Sequence, residues 1–238
     1  MAPRDWIAFW NSKHSIYVNA RHHQAHYRRI ADDLSRYVPA GGTVMDYGCG
    51  EALAADRTAA AAGRLILAEA APNVRATLAM RFAGNGKIEV RSPEQVAALP
   101  PGTLDLIVMH SVAQYLTPAE LDALLATFHR LLKPGGLLVL GDVIPLKVSA
   151  VTDALALLRF GARDGFFVAA LAGLLRTTFS SYWRLRSTLG LARYDEAEML
   201  GKLSAAGFVA KRASDNIGHN PARMTFLAWP VASPPAAA

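Results

Sequence analysis

The chain holds a single cysteine, Cys49, in 238 residues. It therefore forms no internal disulfide, and a reducing compartment suits it. One Cys and seven scattered His supply no zinc-ligand spacing, so no metal is expected. Long hydrophobic runs are missing as well. No stretch approaches the ~20 apolar residues of a membrane span, and the first residues lack the apolar core of a signal peptide. The expected location is cytoplasmic. No internal repeat is visible. Acid is scarcer than base: 19 Asp and Glu against 25 Lys and Arg give a net charge of +6. Such an excess suits nucleic acid, an anionic membrane face or an acidic substrate, and it equally suits a drift in composition toward Arg and Ala. What is plentiful is apolar side chain, 52% of the residues, enough at this length for one substantial core.

The order of elements is legible. Arg21–Tyr37 has helical spacing, with Ile30, Leu34 and Val38 on one stripe. Pro39-Ala40-Gly41-Gly42 breaks it ahead of a strand at Thr43–Tyr47. A helix is expected next, to about Ala62, ended by Gly63 as a left-handed cap. A second strand covers Leu65–Ala68. Asn73 is placed to cap the following helix, which runs to about Ala83, and a third strand covers Lys87–Val90. Strand four, Leu104–His110, is almost continuously apolar, as a strand covered on both faces should be. Thr117-Pro118-Ala119-Glu120 starts a helix with an N-cap Thr, Pro at the first position and Glu three residues after the cap. That helix is expected to end at Lys133-Pro134-Gly135-Gly136, before strand five at Leu137–Leu140. Asp195 caps a helix to Ala206, Gly207 ends it, and Phe208–Ala213 and Met224–Trp229 read as strands six and seven. Strands alternating with helices imply an α/β fold with a doubly wound, mainly parallel sheet.

The most informative stretch is Val44-Met45-Asp46-Tyr47-Gly48-Cys49-Gly50-Glu51-Ala52. A short apolar strand reaches an acid, then glycines at alternate positions, then an Ala-rich helix. Glycines let backbone turn sharply and lie close to a ligand, and a ligand over a strand end and a helix start is the general α/β cofactor geometry. This stretch resembles the nucleotide-binding motif of class I S-adenosylmethionine-dependent methyltransferases of the type 11/12 kind. Leu131-Leu132-Lys133-Pro134-Gly135-Gly136-Leu137-Leu138-Val139 is similar to that family's helix-to-strand-five element. The likeness runs from about residue 20 to residue 230. It implies a seven-stranded Rossmann-like sheet with strand seven antiparallel between five and six. It also implies S-adenosyl-L-methionine as cofactor.

On that resemblance, Gly48, Cys49 and Gly50 pass under the methionine part of the cofactor, and Asp46 supports the loop or accepts from the cofactor's amino group. The family's third glycine is Ala52 here, expected at the helix start. Glu69 ends strand two, roughly 20 residues after the loop, where an acid accepts both ribose hydroxyls. Ala70 packs on adenosine. After strand three, Ser92 is the candidate for the adenine amino group, and an N-cap of a plain turn is the equal alternative. His110, at the end of strand four, faces the reactive methyl as proton acceptor or packing residue. Residues 1–40 form an N-terminal helical lid with Tyr17, Arg21, His22, His23 and His26 as its candidates, of which Tyr17 and Arg21 are assigned to the cofactor. His26 and His219 join His110 as candidate catalytic groups. No Asn/Asp-Pro-Pro-aromatic motif occurs, which argues against methylation of adenine amino groups in nucleic acid. No second thiol is present to act as nucleophile on a pyrimidine.

Residues 41–230 then form the methyltransferase domain, with a helical insertion over about 145–194 and a disordered Pro/Ala-rich tail at 231–238. Within the insertion, Val148–Phe160 and Phe166–Leu175 read as apolar helices, and Arg176–Thr188 as a basic stretch with Phe179, Tyr182 and Trp183. The resemblance implies that an insertion at this edge forms the acceptor pocket, and an apolar, Arg-rimmed one suits a small, partly apolar or lipid-like acceptor. A dimer interface and a peripheral position on a membrane are the alternatives for its apolar faces. The expected activity is methyl transfer to oxygen or nitrogen of such a molecule. The rival readings are an RNA or protein methyltransferase and a non-catalytic S-adenosylmethionine-binding protein.

Overall fold

The computed structural model describes residues 3–12, 17–177 and 190–231. Seven strands form one sheet: β1 (Thr43–Tyr47), β2 (Arg64–Ala68), β3 (Ile88–Arg91), β4 (Leu104–His110), β5 (Leu132–Val143), β6 (Phe208–Arg212) and β7 (Met224–Pro230). Their order is β3-β2-β1-β4-β5-β7-β6. The first five pair in parallel, and β7 runs antiparallel between β5 and β6. The helices are α1 (Pro3–Trp10), α2 (Ala20–Leu34), α3 (Ala55–Ala61), α4 (Pro72–Phe82), α5 (Pro93–Ala97), α6 (Pro118–Leu131), α7 (Ala150–Asp164), α8 (Phe167–Thr177) and α9 (Glu196–Ala205).

The period-two alternation of the central strands divides the core into two layers. Met45, Ile66, Ile107 and Leu138 face the side covered by Leu121, Leu125 and Phe128 of α6 and by Met199 and Leu203 of α9. Val44, Leu65, Leu106 and Val139 face Leu34 of α2, Ala55 and Ala59 of α3, and Leu78 and Phe82 of α4. Small alanines on α3 let that helix sit close on the sheet, and this fixes the loop between β1 and α3. Thr117 and Glu120 form the expected capping box of α6.

Several expectations need correction. Gly63 is not a left-handed cap: α3 ends at Ala62 with extended backbone, and a Cβ on Gly63 would lie 2.3 Å from the Gly41 carbonyl oxygen, so close approach is what requires glycine. Asn73 does not cap α4; Ala71 holds that position and Pro72 opens the helix. Instead, Asn73 N donates to Asn11 Oδ1 at 2.6 Å and Asn73 Nδ2 to the Asn11 carbonyl at 3.0 Å, which docks the end of α1 on the start of α4. α6 stops at Leu131, and Lys133-Pro134-Gly135-Gly136 lies within a longer β5, as a register shift between the Leu104 and Leu106 pairings with β4. Ala52 is not at a helix start. It lies in the loop at φ +45°, and α3 begins three residues later. The helical spacing over Arg21–Tyr37 is split between α2 and a 3₁₀ turn at Ser35–Tyr37. The two apolar helices expected between β5 and β6 are α7 and α8, turned on Gly165 at φ +78°. Arg176–Thr188, beyond the side chain of Leu175, and the 232–238 tail lie outside the described side chains.

Candidate active site

The carboxyl ends of β1, β2 and β4 open into one cavity of about 1290 Å³, beyond the ~300–1,000 Å³ common for single-ligand pockets. The loop after β1 forms its floor. Gly48 and Gly50 have φ +74° and +56°, a backbone region open to glycine and costly to other residues. Space is as decisive as dihedral angle here. A Cβ on Gly48 would lie 2.3 Å from Val112 Cγ2, and one on Gly50 would lie 2.7 Å from Tyr27 Oη.

Two buried acids face this loop. Glu69 Oε2 accepts from Gly50 N at 2.9 Å and its Oε1 from Ala71 N at 2.8 Å. Each oxygen keeps further acceptor capacity. Burial pushes the Glu69 carboxyl up, against the pull of those backbone donors and of Arg75. Asp46 is pushed up to about 7, by burial first and by the charge of Glu69 second. Two buried acids beside a glycine loop fit a ligand that carries positive charge and hydroxyl donors. Cys49 is buried, and its thiol is pushed well above the usual range by burial and by both acids, so it is a packing group.

α2 closes over the loop. Tyr27 Oη accepts from Glu51 N at 2.9 Å, and Tyr17 stacks on His23 with ring centroids 4.1 Å apart. Burial raises both phenols, Tyr17 to about 12. Further along the cavity, the rings of His22, His26, His110 and His219 approach one another: His26 is 6.4 Å from His110 and from His22, and 6.3 Å from His219. Phe160 stacks on His219 at 4.8 Å, and Phe166 on His22 at 4.8 Å. Burial, followed by the neighbouring histidines, holds His26 well below the ordinary imidazole value and His22 at about 4. Burial also lowers His219. Three of these rings are therefore neutral at pH 7.

His110 is differently placed. Its Nε2 lies 3.1 Å from the Ile217 carbonyl, which can only accept, so Nε2 carries hydrogen. Nδ1 faces Ser111 Oγ at 3.1 Å, and Ser111 Oγ donates to Asp142 at 2.6 Å. Ser111 and Asp142 end adjacent parallel strands at φ +58° and +60°, two non-glycine residues in left-handed backbone. Strain of this kind gathers where a site over-determines local geometry. Both nitrogens of His110 are thus engaged. Among the described residues neither nitrogen of His26 takes a hydrogen bond.

Of the residues singled out from sequence, Tyr17, His26, Asp46, Gly48, Cys49, Gly50, Glu69, Ala70 and His110 line the cavity. Five lie off the cavity wall, among them the lid candidates His22 and His23. Ser92 is the N-cap of α5, its hydroxyl accepting from Gln95 N at 3.3 Å in a capping box. Arg21 Nη1 donates to the Gly165 carbonyl at 3.0 Å and ties α2 to the turn between α7 and α8. His219 sits behind His26, against Phe160. Sequence reasoning missed Tyr27 and Asp142. It also missed α1, whose Trp6 and Trp10 pack on Tyr115 at 4.5 and 5.8 Å and line the cavity. The spacing of those two tryptophans, four apart in a short helix, was the available signal.

Residues 45–140 match the family model described as a methyltransferase domain. With the seven-stranded order and the antiparallel β7, that match makes residues 45–140 similar to the class I S-adenosylmethionine-dependent methyltransferases, a family whose cofactor is S-adenosylmethionine. No curated protein matches it. Similar solved structures share the fold at low identity. The DhpI complex with S-adenosylhomocysteine is 12% identical, covers 96% of each chain and has a TM-score of 0.61. A putative methyltransferase in complex with the Trm112 activator of Haloferax volcanii is 16% identical, over 87% of this chain and 92% of that one, at 0.59. PigF with S-adenosylhomocysteine is 18% identical, over 84% and 53%, at 0.55.

Proposed function

We propose that the chain methylates an oxygen or nitrogen atom of a small, partly apolar molecule, with His26 as the proton acceptor. The observation that carries this reading is the continuity of the cavity. One cavity is lined both by Glu69 and the Gly48–Gly50 loop and by His26, His110, Asp142 and Leu191. When bound, the cofactor supplies an electrophilic methyl on a sulfonium. Asp46 and Glu69 suit its cationic and ribose parts, and Gly48 and Gly50 leave room for its backbone-hugging portion.

His26 is the neutral imidazole on the cavity wall that has no competing hydrogen bond among the described residues, so its lone pair is free to take a proton from an acceptor hydroxyl or ammonium. His110 acts as a positioning group, clamped between Ile217 and Ser111. The rest of the rate enhancement comes from alignment and exclusion of water by α1 and α2. The direct test is incubation with S-adenosylmethionine and a panel of amphiphilic alcohols, phenols and amines, reading S-adenosylhomocysteine and methylated product. Calorimetric binding of S-adenosylhomocysteine without turnover of any panel member would leave a binding protein and sink the acceptor class.

A further inference from the structure

The outer face of the α7–α8 hairpin has no counterpart in the cavity described above. Its inner face is buried: Phe160, Phe166 and Ala170 pack with Ala25 of α2. The hairpin is held in place by Arg21 on the Gly165 carbonyl, by Arg28 with Asp164 at 3.4 Å, and by Arg223 with Asp153 at 2.9 Å. The opposite face is apolar and open. Of the twelve exposed large hydrophobic side chains among the described residues, seven lie between Leu146 and Leu175. On α7 the exposed stripe is Val151, Leu155 and Arg159, at spacings of four. On α8 it is Phe167, Val168 and Leu171. Val168 is 79% exposed, which no core role explains.

Charge selects the occupant. From Lys147 to Ser187 the sequence carries six Lys and Arg against two Asp. Both acids, Asp153 and Asp164, are already paired with arginines. Lys147 and Arg159 are exposed, with no ion pair among the described residues. Arginine at the edge of an apolar stripe is the pattern of a helix that lies in a lipid interface among anionic headgroups. A second copy of the chain would instead oppose like charges across the interface, which is unfavourable. No helix among the described residues is long and apolar enough to cross a membrane. α8, at ~16 Å, falls short of the ~30 Å hydrocarbon core, so the fitting position is along the surface.

We propose that the outer face of α7 and α8 docks on an anionic membrane surface. The docking itself is independent of the methyl-transfer reading. What it delivers, an acceptor drawn from the bilayer into the cavity behind Phe160 and His219, rests on that reading.

The test uses the full chain and sedimentation with vesicles of equal parts phosphatidylglycerol and phosphatidylcholine, against vesicles of phosphatidylcholine alone. Binding is expected to the anionic vesicles, to weaken at high salt, and to fall about tenfold or more in Val168→Glu/Leu171→Glu and in Arg159→Glu. These positions are exposed, and unchanged S-adenosylhomocysteine binding by each variant certifies its fold. Absence of vesicle binding by wild-type chain that still binds S-adenosylhomocysteine overturns the proposal. So does vesicle binding unaltered in the variants, or a dimer in analytical centrifugation that Val168→Glu/Leu171→Glu dissociates. Vesicle binding by a chain that never binds S-adenosylhomocysteine would instead leave the docking intact and remove the cofactor reading.

Discussion

Glu69 Oε2 accepts from Gly50 N at 2.9 Å, so the acid at the end of β2 braces the glycine loop at the end of β1. One carboxylate thus does two things: it fixes the floor of the cavity, and it keeps acceptor capacity for a ligand. Glu69→Ala should weaken S-adenosylhomocysteine by about 2 kcal/mol, roughly thirtyfold, the scale of lost charge-assisted hydrogen bonds. Glu69→Gln should rescue little, because a side-chain amide has only one acceptor oxygen for the two backbone donors of Gly50 and Ala71. Calorimetry on the three proteins decides it. A Gln variant that binds like wild type would show that neither charge nor the second acceptor matters.

The reach of α2 over the loop is tested at Gly50. An alanine there meets Tyr27 Oη at 2.7 Å and must hold φ +56°. Left-handed backbone costs roughly 1–2 kcal/mol for a residue with a Cβ. Gly50→Ala should therefore lower stability by about that amount and weaken cofactor binding as Tyr27 is displaced. Gly50→Ala/Tyr27→Phe should recover part of the binding loss and none of the backbone cost. Urea unfolding reports the first effect and calorimetry the second. Equal losses in single and double variants would mean that Tyr27 gives way freely.

What the sequence made legible, and what it did not, follows from the range of the interactions. Asp46, Gly48, Gly50 and Glu69 stand at strand ends whose apolar runs are local signals, so their convergence was readable. The capping box of Thr117 and Glu120 is local as well. Ser92 carried two local readings, and the capped turn is the geometry observed. The long-range contacts were not readable. Nothing in the local pattern sends Arg21 to Gly165, 144 residues away. Asp142 follows a glycine at a strand end, as loop-opening acids often do, and its approach to Ser111 depends on β4 and β5 being neighbours. Gly63 was misread because a glycine needed for close approach looks the same in sequence as one needed for positive φ.

Asp46 provides a pH test with a definite sign. Its folded pKa of about 7 lies above the unfolded value of 3.8. The folded state therefore holds the extra proton between these values. The stabilisation it gives is full below about pH 4 and is lost as pH rises through about 7, at most roughly 4 kcal/mol. The buried His22 runs the other way: its folded value of about 4 lies below 6.5, so its contribution is present above pH 6.5 and is lost as pH falls toward 4. The difference between Asp46→Asn and wild type cancels His22 and isolates Asp46. The variant should gain relative stability steadily from pH 4 to above pH 7 in urea unfolding. A flat difference would mean that Asp46 titrates normally.

The histidines can be separated by their hydrogen bonds. His26 lines the cavity with no hydrogen bond to its ring among the described residues, whereas His110 is held at both nitrogens by Ile217 and Ser111. A proton acceptor that is lost slows turnover by about 100-fold or more and leaves cofactor binding alone. His26→Gln should show that pattern with any acceptor the panel identifies, kcat falling while S-adenosylhomocysteine binds as before. His110→Asn should act through position. Its effect should be shared by Ser111→Ala and should not add to it, since both break the chain from Ile217 to Asp142. A loss of activity in His110→Asn larger than in His26→Gln, and additive with Ser111→Ala, would move the proton acceptor from α2 to the end of β4.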